Sequence, residues 1–150
     1  MAAGINTVLN VALPRFGGEL EMATHTFKAA LCTSDQVLDE GFTGTSGEAL
    51  YSDLTAELPT GDGYTAGGVT LANVTWALDG SFVVWSADSA SWTTLTAASI
   101  KYLVIYDDTL ADKPIVTVTD LETTVPTGRV SAGGDFIVNF AGEILRLRRA

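Results

Sequence analysis

The single histidine and the single cysteine of this sequence are the first places to look for catalysis. His25 stands seven positions before Cys32, and Cys–His or Ser–His–Asp chemistry would have to use this one imidazole. The segment between them predicts a strand, and an odd separation along a strand places two side chains on opposite faces. We therefore expect no catalytic pair and interpret His25 as a surface or interface histidine.

Two glycine-containing stretches resemble reactive loops but lack the spacing that the chemistry needs. Gly44–Gly47 reads G-T-S-G, without the G-x-S-x-G pattern of a nucleophile elbow and without a buried strand before it. The glycines of residues 61–68 are too scattered for a phosphate cradle, and no Gly-Lys-Ser/Thr follows them. Both stretches are typical of turns, so the sequence predicts no catalytic residues and no enzyme.

Acidic residues in two loops raise the question of a cation. Asp62 and the pair Asp107-Asp108 could each offer oxygen ligands to Ca²⁺, but a calcium loop supplies several carboxylates at alternate positions. Asp is also favoured in turns, because its side chain bonds to the nearby backbone. We favour turn formation, predict no metal site and no cofactor, and leave cation binding at these residues open.

Three tryptophans, Trp76, Trp85 and Trp92, allow two interpretations. Exposed indole faces could stack on sugars, which would indicate a glycan-binding module. Tryptophans at strand spacing more often fill the space between two sheets. We expect roles in the core or in subunit contacts.

The charge distribution separates an acidic body from a basic end. Among 150 residues, 47% are apolar and 17% charged, and the net charge is −10. Three of the eight basic residues are Arg146, Arg148 and Arg149, which we expect to pair with carboxylates of a partner. The body offers no basic patch for phosphates and the chain has no apolar run of membrane-spanning length, so we expect neither a nucleic acid nor a membrane as partner.

Short segments rich in β-branched and aromatic residues, separated by turn residues, predict an all-β protein. Within 69–76 the alternation changes phase near Ala72-Asn73, which suggests a bulge. Residues 48–58 predict irregular or short helical structure, residues 125–135 predict a loop, and residues 143–148 are expected to pair with 135–140 across a turn at Ala141-Gly142. The predicted strands lie in residues 25–32, 69–76, 81–85, 100–106, 114–120, 135–140 and 143–148. Seven or eight such strands predict an antiparallel β-sandwich of jelly-roll or immunoglobulin-like type.

The N-terminal residues form a separate prediction. Apolar residues in 5–13 recur at helical spacing, and Pro14 and Gly17-Gly18 end the pattern. We divide the chain into a short helix or arm, 1–22, and a sandwich domain, 23–150. The arm either lies on its own domain or docks on a neighbouring subunit. The residues expected to dock are Ile5, Val8, Leu9, Leu13 and Phe16.

Three motifs stand in a fixed order along the chain. They are Y-S-D-…-E from Tyr51, G-Y-T-A-G-G from Gly63, and Y-…-V-I-Y-D-D ending at Asp108. In this order and spacing they resemble small structural proteins encoded among the virion genes of tailed bacteriophages, over roughly residues 27–148. The resemblance implies a non-enzymatic virion component with a β-sandwich-like fold, and first of all a capsid decoration (cement) protein.

That resemblance also implies the partners and the place of action. The partners would be the major capsid protein or other virion proteins, together with further copies of the chain, most simply as a trimer on the particle. The protein would reside in the virion, which is assembled in the host cytoplasm. The alternatives are a tail, neck or fibre-base component, and a receptor- or glycan-binding β-sandwich module.

Overall fold

The structure is a computed structural model that describes residues 6–8, 15, 18–38 and 49–148. The described part is built from β-strands and one 3-10 turn, Tyr51–Asp53, as the all-β prediction requires. The strands are β1 (Asn6–Val8), β2 (Phe27–Cys32), β3 (Val69–Thr70), β4 (Thr75–Asp79), β5 (Phe82–Ser86), β6 (Ala90–Ile100), β7 (Tyr102–Asp107), β8 (Ile115–Asp120), β9 (Arg129–Val138) and β10 (Leu145–Arg148).

The largest sheet has the order β1-β8-β7-β2-β3, and all its neighbours are antiparallel. The predicted strands near 25–32, 100–106 and 114–120 form its centre as β2, β7 and β8. The sequence predicts a half-buried β2, but both faces of β2 are buried. The second face is covered because the segment around Ala49 and Tyr51 packs on it, beside Val104 and Tyr106 of β7.

Two smaller sheets complete the sandwich-like fold. One has the order β10-β5-β4, and the other is the pair β6-β9. The main core lies between these and the inner face of the large sheet, where the rings of Phe27 and Trp85 meet edge to face at 4.9 Å. Trp92 and Phe136 bring the β6-β9 ribbon into the same core, with ring centroids 6.2 Å apart.

Two sequence predictions about the C-terminal third are wrong. Residues 125–135 were expected to form a loop, yet β9 begins at Arg129 and continues through Gly133 and Gly134. Glycine is tolerated there because the pairing with β6 is irregular, and Gly133 has a positive φ of 85°. The last strand, β10, pairs with β5 and not with residues 135–140.

The irregularity predicted near Ala72-Asn73 is a complete break. Asn73 has a positive φ of 51°, which Asn tolerates better than most residues, and the chain leaves the large sheet here. As a result β3 belongs to the five-stranded sheet and β4 to the three-stranded one.

Of the two forms expected for the N-terminal residues, a helix or an extended arm, the described residues 6–8 adopt the extended one and not the helix. Asn6–Val8 form the strand β1, which pairs with β8 of its own domain. An extended segment is compatible with these residues because a neighbouring strand edge supplies the hydrogen bonds that a short helix would have to make internally. The other proposed arm residues, Ile5, Leu9, Leu13 and Phe16, lie outside the described residues.

Candidate functional site

The three motifs noted in the sequence meet around one carboxylate, that of Glu57. The hydroxyl of Tyr51 donates to Glu57 Oε2 at 2.5 Å, and the hydroxyl of Tyr64 donates to Oε1 at 2.7 Å. The backbone N–H of Gly67 donates to the same Oε1 at 2.7 Å. Both carboxylate oxygens therefore accept bonds from residues of the same segment, and the first two motifs close on each other.

The third motif joins this network from β7. The hydroxyl of Tyr106 donates to the carbonyl of Gly67 at 2.8 Å, and its ring stacks on that of Tyr51 at 4.4 Å. Tyr64 also accepts the N–H of Leu31 in β2 at 3.0 Å. We call residues 49–68 the strap. Its first part packs on the second face of the five-stranded sheet at Ala49 and Tyr51, and its later part bonds to the end of β2 and places Leu58 and Tyr64 in the main core.

One close approach makes the strap specific for glycine. A Cβ at Gly68 would lie 1.9 Å from the carbonyl oxygen of Ala29 in β2, and Gly68 has a positive φ of 73°. Backbone atoms of the strap and of β2 are thus nearly in contact. Only glycine fits this position.

The electrostatics of the network favour hydrogen-bond donors over bases or nucleophiles. Burial, and then the neighbouring Glu57, raise the pKa of Tyr51 and Tyr64 well above the ordinary value. Burial and then Asp108 do the same for the pKa of Tyr106. For Cys32, burial followed by the charge of Glu57 raises the pKa to about 12. The phenols and the thiol are therefore protonated at neutral pH, which suits a structural network.

These raised pKa values predict a loss of stability in alkali. The folded state keeps the three phenols protonated where the unfolded chain, with tyrosine pKa values near 10.0, releases protons. The free energy of unfolding should therefore fall as the pH rises above about 10, because the unfolded state then binds fewer protons than the folded one. Urea titrations at a series of pH values measure this, and Tyr64→Phe should flatten the dependence. If the free energy of unfolding falls equally steeply with pH in the parent and in Tyr64→Phe, the raised pKa of Tyr64 does not contribute to the loss of stability.

His25 does not approach Cys32 in a catalytic arrangement. Its Nδ1 lies 2.5 Å from Oδ2 of Asp107, whose side chain is fully buried, while His25 itself is 14% exposed. The other oxygen of Asp107 accepts the N–H of Thr109 at 2.8 Å. This internal carboxylate holds the ring mostly buried and links the segment before β2 to the end of β7. His25 is therefore less exposed than a surface histidine, and an interface role for it stays a prediction.

Two of the three acids that could have offered ligands to a cation, Asp107 and Asp108, use their carboxylates in contacts within the protein. Asp108 Oδ1 lies 2.7 Å from Nζ of Lys113, and its Oδ2 lies 3.1 Å from Nζ of Lys28. The hydrogen bond from Lys113 is the main reason that the pKa of Asp108 lies below its usual value. Asp62 sits in a turn with a positive φ of 51°, where its carbonyl accepts the N–H of Thr96 at 2.8 Å. Within residues 18–38 and 49–148, no three His, Cys, Asp or Glu residues cluster in a way that could hold a metal ion.

The tryptophans occupy core positions. Trp85 and Trp92 are buried, and Trp76 packs against the same core while partly exposed. The faces of Trp85 and Trp92 are therefore not available to a sugar. This confirms the core interpretation for these two residues.

The basic end makes bonds within its own chain. Arg146 Nε lies 2.7 Å from Glu143, its terminal nitrogen lies 3.1 Å from Asp79, and its guanidinium covers the ring of Phe82 at 4.8 Å. Arg148 is exposed at the end of β10, and Arg149 lies outside the described residues. Charge pairing of the three arginines with a partner stays a prediction.

Sequence reasoning missed an exposed apolar surface on β9. Val130 is 73% exposed and Ile137 is 48% exposed, and a shallow groove of about 660 Å³ runs past them from Glu122 to Ile137. The apolar residues in V-S-A and in the run F-I-V were the available signal, but the glycines between them suggested a loop. We call Val130, Ile137 and the groove between them the ribbon face.

No family model, curated protein or solved structure matches this chain. Across the described ranges, no helix has the length and apolar character needed to cross a membrane. The functional conclusion therefore depends on the contacts and surfaces described above and on the motifs that the sequence carries.

Proposed function

We propose that this protein is a non-enzymatic virion component of a tailed bacteriophage, and within that class a decoration protein that binds the assembled capsid shell and stabilises it. The resemblance of the three motifs supports the class. Their use in the fold supports a structural role, because Tyr51 and Tyr64 bond to Glu57 within the strap and Tyr106 fastens the strap to β7 through Gly67. A network of this kind makes the body of the protein rigid, and a rigid body suits a protein that acts by binding.

The observation that carries the proposal is the ribbon face. Among the described strands, β9 has a partner only on the side of β6, and its ten residues contain only two charged ones, Arg129 and Asp135. A long edge strand with exposed apolar side chains is normally shielded from association. Here Val130 and Ile137 stay open, which favours a surface that another protein covers.

Charge and composition fit a protein partner better than the other classes. The net charge of −10 opposes binding to the phosphate backbone of DNA. A weakly charged, Thr- and Ala-rich ribbon loses little hydration energy when a protein surface covers it. Several copies around a symmetry axis of the shell would multiply this contact toward the area of a stable interface, roughly 2,000 Å² or more.

An acidic residue in the ribbon face should weaken shell binding. Val130→Asp is expected to lower the amount of chain bound to undecorated shells by about tenfold or more, since placing a carboxylate in an apolar contact costs at least 1.4 kcal/mol or so. Cosedimentation of purified chain with shells, followed by quantification of the bound fraction, measures the effect. Ile137→Asp should act in the same direction.

The matched control uses an equally exposed leucine on another sheet. Leu78 of β4 is 68% exposed, and Leu78→Asp should bind shells as the parent does. Parent-like binding of both ribbon variants would remove the ribbon face from the proposal. A parent chain that binds isolated tails or necks but no shell would instead support a tail, neck or fibre-base component, and binding to glycans alone would support a receptor-binding module.

A further inference from the structure

The outer edge of the five-stranded sheet is covered by a very short strand. β1 is antiparallel to β8, with Asn6 opposite Thr119, Thr7 opposite Val118 and Val8 opposite Thr117. On its other side β8 pairs with β7 over its whole length. The edge of β8 is therefore an acceptor for one extended segment, and β1 shows the direction and register that the edge takes.

The strand β1 is tethered to the body at a nearby point. Arg15 forms an ion pair with Asp112 at 2.9 Å, and Asp112 lies in the loop just before β8. From Val8 to Arg15 the chain has seven Cα–Cα steps, which span about 25 Å at most. This length lets Val8 reach Thr117 of its own β8. It would also let Val8 reach Thr117 of a second copy, if that residue lies within about 25 Å of Arg15.

A strand from a second copy would make the same ladder bonds as the strand from the same chain. Exchange of an identical element therefore costs no contacts, and the balance between the two arrangements depends on the tether and on the local concentration of copies. Copies held side by side on a particle have a high local concentration. This condition favours exchange.

We infer that the β8 edge is an acceptor site for β1 of a second copy, so that neighbouring copies are linked by exchanged N-terminal strands. The biological purpose of the link rests on the proposed decoration role, but the exchange itself involves only this chain. The strand β1, which contains Val8 of the predicted arm, would then connect copies of the protein before it contacts any shell.

Mixed disulfides between two single-cysteine variants test the exchange. One full-length chain carries Thr7→Cys and the other carries Val118→Cys, which the register places opposite each other. The native Cys32 is fully buried, which keeps it out of the reaction. After mixing at high concentration and mild oxidation, non-reducing electrophoresis and peptide mass spectrometry should show a dimer joined by a disulfide between the two introduced thiols. Its yield should exceed by about tenfold that of a mixture of Thr7→Cys and Ser81→Cys, in which the exposed thiol at position 81 meets the other thiol only by collision, because docking raises the effective concentration of one thiol at the other.

The double variant Thr7→Cys/Val118→Cys supplies the reference for the unexchanged strand. An intrachain disulfide in this variant, without any mixed dimer above the Ser81→Cys control, would overturn the inference. The inference would also be overturned if neither the intrachain disulfide nor the mixed dimer formed, and if the adjacent pair Asn6→Cys and Thr119→Cys likewise gave neither product. Shell occupancy is measured separately on the parent chain: loss of shell binding with mixed dimers present refutes only the decoration role, and normal shell binding without mixed dimers refutes only the exchange.

Discussion

Replacing Gly68 by alanine should destabilise the protein by about 3–5 kcal/mol, enough to unfold a marginally stable domain. The added Cβ would stand 1.9 Å from the carbonyl oxygen of Ala29, and neither atom belongs to a flexible side chain that could turn away. Relief requires the strap to lift from β2, which breaks the bonds of Tyr106 and Glu57 to Gly67. Urea titration followed by tryptophan fluorescence measures the loss.

The variant Gly142→Ala serves as a control that distinguishes the cost of the steric clash at Gly68 from the cost of its left-handed backbone conformation. It has a positive φ of 88° in the turn before β10, but nothing lies within 4 Å of an added Cβ. Gly142→Ala should therefore cost only the strain of a left-handed residue, about 1–2 kcal/mol. Equal losses in the two variants would mean that φ alone matters at Gly68 and that the strap does not press on β2.

Removing the Glu57 carboxylate should cost about 3–5 kcal/mol, because hydrogen bonds to a charged group contribute about 1.5–3 kcal/mol each and three donors depend on it. In Glu57→Ala the hydroxyls of Tyr51 and Tyr64 and the N–H of Gly67 lose their acceptor. The strap should then exchange its amide hydrogens faster than β2 and β7 do. Chemical denaturation and hydrogen exchange with mass spectrometry measure the two effects.

Two variants define what the carboxylate contributes. Glu57→Gln keeps one acceptor oxygen and should lose about half as much stability as Glu57→Ala. Glu143 is an exposed carboxylate that bonds to Arg146, and Glu143→Ala should change the free energy of unfolding by less than about 1 kcal/mol. A loss in Glu57→Ala as small as that in Glu143→Ala would show that solvent replaces the network without cost.

These two predictions concern residues of the three sequence motifs. Tyr51, Tyr64, Gly68 and Tyr106 are far apart in the sequence but belong to one fastening between the strap and the large sheet. Polar motifs of this kind invite a search for an active site. In this chain their geometry is that of a clamp, and the ribbon face, which no motif marks, is the surface that supports a binding role.

Local patterns in the sequence were enough for the fold class and for part of the strands, although the longest strand, β6, was not predicted. Alternation and β-branched residues located β2, β5, β7 and β8, and Ala141-Gly142 forms a turn as expected. Turns and strand propensity depend on neighbours a few residues away, so the sequence displays them directly. The same patterns placed Trp85 and Trp92 in the core.

Only the tertiary structure decided which strands pair and which faces are covered. Leu145 lies opposite Trp85 in β5 because burial of both in one core outweighs the short turn that favoured residues 135–140. Residues 129–135, which the sequence predicted as a loop, form part of β9 because they pair irregularly with β6, and Val130 is exposed there. By itself the sequence determined an all-β chain with buried tryptophans. The strand partners, the Glu57 clamp and the ribbon face follow from contacts between distant residues, and local spacing does not encode such contacts.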